Sequence, residues 1–387
     1  MTEFDFMTRI DRSKTNAIKT KAQEDEQDLI PLWIADMDFV AFPELQETAH
    51  SYADQQIYGY TYAAHTLFDA IQYWEEKQHH YTFDKEAIIL VEGVVPAIGL
   101  AIQSFTQKND GILINSPAYP PFARTIELNE RKLFRSPLIE KEGLYFFDFV
   151  EMEDLFKSGQ IKLYILCSPH NPGGRVWTKD ELFKIGKLCQ KYHVLLIADE
   201  IHQDLIWDGT EQHSFNTLSP EFKNFAIIIS SATKTFNLAG TKCAFAIIEN
   251  LDLRKKYLHQ RLVNNQHEIN SLGLMMTETA FRYGTPWLSA LKAQIQINLS
   301  YLMAELTHKT AIKIMKPQGT YLVWLDFSSY GLTDTQLHQI LIKDAKVMLN
   351  KGSSFGVEGE LHARLNLASP YETIKTGVDR LVNTFGK

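Results

Sequence analysis

The sequence predicts an α/β fold: a mainly parallel sheet covered by helices on both faces, joined to a smaller α+β domain. Three observations predict it. From residue 88 onward, short apolar, β-rich runs alternate with helical segments: Ile88 to Val91, Ile112 to Ile114, Leu163 to Leu166, Val194 to Ala198, Ala226 to Ile229 and Ala244 to Ile248. Runs this short and this apolar read as strands buried on both faces, the condition of a parallel sheet between helices. Beyond Pro286 the pattern changes to one long helix and then to mixed strands and helices. A chain of 387 residues has room for both parts and for a large core.

Taken in order, residues 13–28 are polar and charged and read as an arm or loop. They lead into PLWIADMDF at 31–39, where Trp33 and Ile34 beside two acids read as a buried strand end. Pro43 opens a helical segment, which the glycine turn at 58–61 breaks. Leu67, Ala70, Ile71, Trp74 and Tyr81 then keep helical spacing. The helix from Lys179 to Tyr192 opens with a capping box, Thr178 with Glu181 three residues on. The long helix after Pro286 carries Leu288, Leu291, Ile295, Asn298, Leu299 and Leu302. A strand from Tyr321 to Asp326, a helix opened by Thr333 and Gln336, and strands from Lys346 to Leu349 and Arg364 to Leu367 follow. Pro370 suits the first turn of the last helix. The expected division is a large domain over 46–286 and a small one built from 1–45 and 287–387, with the boundary near Trp287 inside a helix.

Composition narrows the function classes. A net charge of -8 without a long Lys/Arg run gives no support to nucleic-acid binding. No apolar run approaches the ~20 residues needed to cross a bilayer, and the mean hydropathy of -0.20 is that of an ordinary soluble protein. Glu3 and Asp5 stand where a signal peptide would need an apolar core, so export is not expected. Three widely spaced cysteines, Cys167, Cys189 and Cys243, argue against a disulfide framework and against a zinc site. A reduced, cytoplasmic home is expected, with no metal.

The candidate site lies at the C-terminal ends of the strands, where open α/β sheets keep their ligands. After Ile88 to Val91 comes EGVVP at 92–96, a glycine turn into a helix whose free amides suit a phosphate. After Ile112 to Ile114 a Pro-rich loop presents Tyr119. After Leu163 to Leu166 comes SPHNPGG at 168–174, and after Val194 to Ala198 comes DEIH at 199–202. After Ala226 to Ile229 comes SSATKTFNLAG at 230–240, with Lys234 just past the strand. A partly desolvated lysine there can form a Schiff base with an aldehyde. An anion cup, an amide, an acid, an aromatic plate and a lysine together meet the needs of pyridoxal 5'-phosphate. Asp199 can pair with its protonated ring nitrogen, a contact worth about 4 kcal/mol at an effective dielectric near 20. His79, His80 and His170 read as solvated side chains.

SPHNPGG at 168–174, DEIH at 199–202, SATK at 231–234 and RLNL at 364–367 resemble the fold-type I pyridoxal phosphate enzymes of the aspartate aminotransferase superfamily. WIADMDF at 33–39, YGY at 58–60 and EGVVP at 92–96 resemble its cystathionine β-lyase and carbon–sulfur lyase subgroup. The resemblance covers nearly the whole chain. It implies that Lys234 is the Schiff-base lysine and later the base at the substrate Cα. It also implies that Asp199 pairs with the ring nitrogen, that Asn171 and His202 lie near the 3-oxygen, and that Tyr119 stacks on the ring. Gly93, Val94, Val95, Ser231, Thr233 and Lys242 would surround the phosphate, with Tyr60 reaching it from the second subunit of a homodimer. Arg364 would grip the substrate carboxylate, with Ile34, Ala35 and Asn171 beside it. Two residues depart from the superfamily pattern: Lys242 stands where many members have arginine, and His202 where many have tyrosine.

The expected reaction is α,β-elimination from an S-substituted L-cysteine, giving a thiol or sulfide, pyruvate and ammonia. Transamination uses the same lysine, acid and arginine and stays open on these residues alone, as does an added regulatory binding role. An ATPase is excluded, because no phosphate-binding loop ending in Gly-Lys-Ser/Thr is present.

Overall fold

The computed structural model describes residues 4–23, 28–207 and 209–387. Glu3 and residues 24–27 of the polar arm lie outside the described residues. The larger sheet has seven strands: β1 (Ile88–Val91), β2 (Gly111–Ser116), β3 (Lys132–Pro137), β4 (Ile161–Cys167), β5 (Leu195–Asp199), β6 (Ala226–Ser230) and β7 (Ala244–Ile247). Their order is β1-β7-β6-β5-β4-β2-β3. β7 runs antiparallel to both its neighbours, and the other pairings are parallel.

Alternation of side chains along each strand divides the interior in two. Ile89, Ile112, Ile114, Ile227 and Ile229 belong to one apolar cluster, under helix Val94–Phe105. Ile88, Leu90, Leu113, Ala226 and Ile228 belong to the other, which includes Trp74, Phe236, Phe281 and Trp287. Because both faces are covered, β1, β2, β6 and β7 are buried along their whole length. That is why they read as unbroken apolar runs. β3 and the hairpin of Ile139–Lys141 with Leu144–Phe146 were not foreseen. β3 is a partly exposed edge strand of mixed polarity, and the hairpin strands are only three residues each.

A second, antiparallel sheet holds β8 (Lys313–Met315), β9 (Leu322–Asp326), β10 (Asn350–Lys351) and β11 (His362–Asn366) in the order β8-β9-β11-β10. The N-terminal segment joins this part of the chain: Ile30–Pro31 pairs in parallel with Val347–Met348. Asn366 Nδ2 donates to the carbonyls of Ile34 and Asp36, each at 2.7 Å. The long helix Thr285–Lys309 spans the expected boundary at Trp287. Within its apolar stripe, buried Asn298 donates from Nδ2 to the carbonyls of Leu367 and Ser369, each at 2.9 Å, which explains a polar residue at a core position. The arm is held by charge. Lys19, whose side chain is fully buried, lies 2.7 Å from Asp38, and Arg12 bridges Asp36 and Asp38 at 2.8 and 2.7 Å. Both capping boxes form, at Thr178 with Glu181 and at Thr333 with Gln336.

The histidines require a correction. His80 is exposed as expected, but His79 and His170 are buried. His170 Nε2 lies 3.0 Å from the Pro117 carbonyl, and burial pushes its pKa down to about 4. His79 Nε2 lies 2.7 Å from Asp204 Oδ1, and this partner holds its pKa above the usual value despite burial. Next to it two further acids are enclosed. Glu75 Oε1 accepts from Gln203 Nε2 at 2.8 Å, and Glu200 Oε1 accepts from the Phe215 amide at 2.8 Å. Burial pushes Glu75 up to about 7 and Glu200 up to about 8.

Those raised values have a sign. The folded chain keeps protons on Glu75 and Glu200 that the unfolded chain releases near 4.5, so their contribution to stability is complete at low pH and is lost as pH rises through 7 to 8. His79, also raised, acts in the same direction. Glu200→Gln keeps the acceptor for the Phe215 amide. It is expected to flatten the fall in Tm from about pH 6 to about pH 9, and at the upper end to be the more stable protein by on the order of 2 kcal/mol. A variant with the parent's slope would refute the assignment.

Candidate active site

The C-terminal ends of β1, β4, β5 and β6 open onto one cavity of about 1270 Å³. Lys234 lies on the one-turn helix Ala232–Thr235 that follows β6, and Asp199 is the last residue of β5. Both line the cavity, together with His202, Asn171, Tyr119 and Arg364. Parallel strands end in the same direction, so Asn171, Asp199, His202 and Lys234, far apart in sequence, meet at one end of the larger sheet.

The electrostatics follow from poor solvation. Asp199 is buried, and burial pushes its carboxyl up to about 7; its Oδ1 accepts from the Ile201 amide at 3.1 Å. Burial, reinforced by the Arg364 charge, pulls the Lys234 amine down to about 8. Lys234 Nζ donates to the Ala35 carbonyl at 2.6 Å. An amine in that range loses its proton at little cost near neutral pH, as a nucleophile or base requires. His202 is buried, and burial with the Lys234 and Arg364 charges holds it well below the ordinary histidine value, so the imidazole is neutral. Burial raises the Tyr119 phenol, which stays protonated.

Arg364 comes from β11 of the smaller sheet and is itself buried. Its guanidinium donates to Asn171 Oδ1 at 2.8 Å and to Asn350 Oδ1 at 2.6 Å, and it lies over the Phe355 ring at 4.9 Å. Two neutral amides orient the cation without neutralising it. A planar, oriented guanidinium with no carboxylate partner among the described residues suits an incoming carboxylate. Ile34 and Ala35 line the cavity beside it. The Ala35 carbonyl also accepts from the Tyr321 hydroxyl at 3.2 Å, which fixes this stretch.

Gly93 caps helix Val94–Phe105, and Gly93, Val94 and Val95 line the cavity at the helix N-terminus, where the first amides have no intrahelical acceptor. Thr233 and Lys242 line the same cavity. The Ser231 hydroxyl caps the helix of Lys234, accepting from the Thr233 amide at 3.1 Å and donating to the Cys243 carbonyl at 2.7 Å. Tyr60 borders the cavity from the loop 55–64 and is almost fully exposed.

Pyridoxal phosphate fits these residues. His202 Nδ1 and Arg364 Nε are buried without a partner among the described residues. Asn171 spends its carbonyl oxygen on Arg364, which leaves its amide hydrogens for a ligand oxygen. A helix N-terminus that opens into a cavity also lined by Lys242 suits a phosphate. Sequence reasoning missed Asn350, Tyr321 and Asp36 as supports. They act through hydrogen bonds or charge on Arg364, Ala35 and Lys234, across separations in the chain that no local pattern reveals.

Comparison with known proteins agrees with this geometry. The cystathionine beta-lyase PatB of Bacillus subtilis (strain 168) is 36% identical over 355 residues, 92% of each chain. The crystal structure of cystalysin from Treponema denticola, which contains a pyridoxal 5'-phosphate cofactor, superposes with a TM-score of 0.94 at 33% identity over 98% of each chain. The PLP-bound C-S lyase of Staphylococcus hominis gives a TM-score of 0.91 at 30% identity, covering 100% of this chain and 99% of its own. The family described as aminotransferase class I and II matches residues 28–381, and the chain belongs to that family.

Proposed function

We propose that this chain is a pyridoxal 5'-phosphate-dependent carbon–sulfur β-lyase, acting on S-substituted L-cysteines of the cystathionine type. The observation that carries the reading is the pair of Lys234, with its amine near 8, and buried Asp199 in one cavity with an oriented Arg364. The similarity to cystathionine beta-lyase PatB directs the reading from the family to the reaction.

When bound, the cofactor supplies an aldehyde that condenses with an amine and a ring that accepts the electron pair of a broken Cα–H bond. Lys234 would hold the cofactor through Nζ and, once the substrate amine displaces it, would remove the Cα proton. Asp199 would pair with the ring nitrogen, Asn171 and neutral His202 would serve the 3-oxygen, and Tyr119 would lie against the ring. The amides of Val94 and Val95, with Thr233 and Lys242, would hold the phosphate. Arg364, kept in orientation by Asn171 and Asn350, binds the substrate carboxylate and so directs the Cα–H bond toward Lys234. With sulfur on the β-carbon, loss of that proton and of the thiolate, followed by hydrolysis, gives pyruvate and ammonia.

The working unit in this proposal is a cytoplasmic homodimer. Ile57, Tyr58, Tyr60 and Tyr62 are 80, 62, 98 and 84% exposed, a cluster of large side chains that favours a covering partner. The division into a cofactor-binding part, 46–286, and a smaller part, 1–45 with 287–387, belongs to the same proposal. The pairing of Ile30–Pro31 with Val347–Met348 supports it.

Four outcomes test the proposal. The purified protein is expected to be yellow, and borohydride should fix a phosphopyridoxyl group on Lys234; an adduct mapped to another lysine, or none, would remove the assignment. Separately inactive Lys234→Ala and Tyr60→Phe chains, when mixed, should recover activity by rebuilding one complete site per heterodimer, whereas full activity in a sedimenting monomer would end the dimer proposal. Cystathionine should yield homocysteine, pyruvate and ammonia, and L-cysteine should yield sulfide, with no keto acid added. Lys234→Ala should abolish turnover, and Arg364→Ala should lower kcat/KM by about 2–5 kcal/mol, the range for a buried charge pair that loses a partner. Absence of pyruvate together with stoichiometric amino transfer to a keto acid would make the protein an aminotransferase instead.

A further inference from the structure

Behind the cavity lies a group of buried polar side chains that the chemistry above does not use, and their hydrogen bonds end on the segment that carries Lys234. Asp204, five residues after Asp199, is buried. Its Oδ1 accepts from Trp74 Nε1 at 3.0 Å and lies 2.7 Å from His79 Nε2; both partners belong to helix His65–His79. Its Oδ2 accepts from the Thr235 hydroxyl at 2.5 Å. Thr235 follows Lys234 and closes the helix Ala232–Thr235. One carboxylate therefore joins three pieces of backbone: the helix behind the site, the loop that follows Asp199 and carries His202, and the turn that carries Lys234.

The turn needs such an anchor. A helix of four residues has almost no stability of its own, because nucleation costs more than one turn of hydrogen bonds returns. Its orientation is therefore imposed from its ends. Ser231 ties the first end to the Cys243 carbonyl, and Asp204 ties the last. A hydroxyl donating to a carboxylate makes a short, directional bond, stronger than one between neutral groups. The carboxylate is in turn kept from rotating by two donors on its other oxygen.

We propose that Asp204 is a positioning residue for Lys234, acting through the Thr235 hydroxyl, while Trp74 and His79 hold the carboxylate in place. The proposal rests on Lys234 being the reactive amine. Asp204 is faced by His79 and Glu75 from helix His65–His79 and by Thr235 from the turn, with Glu200 close by on its own segment. Lys234 is faced by Arg364, Asp36 and Asp199. None of these needs to change its charge for the tether to act. What the tether fixes is where the amine points, and a misplacement of about 1 Å at a reacting centre can cost about a hundredfold in rate.

The test uses the holoenzyme of Thr235→Val, which keeps the shape and removes the hydroxyl, and of Thr235→Ser, which keeps the hydroxyl. Thr235→Ala takes the place of Thr235→Val if the latter does not fold. Expected for Thr235→Val is a fall in kcat of about tenfold or more with KM changed less than about threefold. The pH midpoint of the visible absorbance band is expected to move as well, and Thr235→Ser should restore both. If either readout stays at the parent value, whatever happens to Tm, the tether is structural only and the proposal is overturned; failure of serine to restore them overturns it too. Borohydride mapping on the same samples separates the two levels. An adduct away from Lys234 removes the underlying reading, whereas an adduct on Lys234 with unmoved readouts removes only the role of Asp204.

Discussion

Poor hydration of a few charged groups at one edge of a sheet is the constraint on which the rest of this structure depends. Asp199 and Lys234 are each displaced toward their uncharged forms by burial, and neither has a full counter-ion among the described residues. Such groups cost stability unless something holds them in place and a ligand later completes them. The surrounding architecture supplies the holding: an amide for Asp199, a carbonyl for Lys234, two asparagine side chains for Arg364. Each is a neutral dipole, which orients a charge without quenching it.

The parallel sheet suits this task because it separates packing from chemistry. Along β6 the apolar residues from Ala226 to Ile229 alternate between two cores, and the first residues after the strand are free to be polar. Arg364 arrives from the other sheet, so the proposed carboxylate site is formed where the two sheets meet. The hydrogen bond from Arg364 to Asn171, spanning 193 positions of the chain, is one of the direct links between them. The charge clamp of Lys19 and Arg12 on Asp36 and Asp38 secures the N-terminal arm to the same junction.

Membership of the aminotransferase class I and II family and resemblance to lyases are compatible in physical terms. Loss of a proton from Cα needs an amine, an acid at the ring nitrogen and an anchored carboxylate whichever product follows. Elimination and transamination diverge afterwards, at the β-substituent and at the carbon that takes the proton back. The residues proposed for the shared step suit either outcome, and the near full-length similarity to carbon–sulfur lyases is what favours elimination in the proposed function.

The sequence by itself determined the strands that are buried on both faces, since burial demands unbroken apolar runs, and the residues at their ends, since motifs such as SPHNPGG and DEIH are local. It also marked Thr178 and Thr333 as helix caps, because a cap acts within four residues. Exposed strands such as Lys132–Pro137 left no such mark, because an edge strand wetted on one side can mix polar and apolar residues freely. Ser231 stands in the lysine motif, and only the fold adds that its hydroxyl caps the turn carrying Lys234. His79 looked solvated because a histidine near a helix end usually is; only the approach of Asp204, 125 positions away, buries and pairs it. Asn350 and Tyr321 escaped notice for the same reason. What tertiary structure alone decided was which distant dipole satisfies each buried charge, and that choice depends on contacts whose partners share no local pattern in the chain.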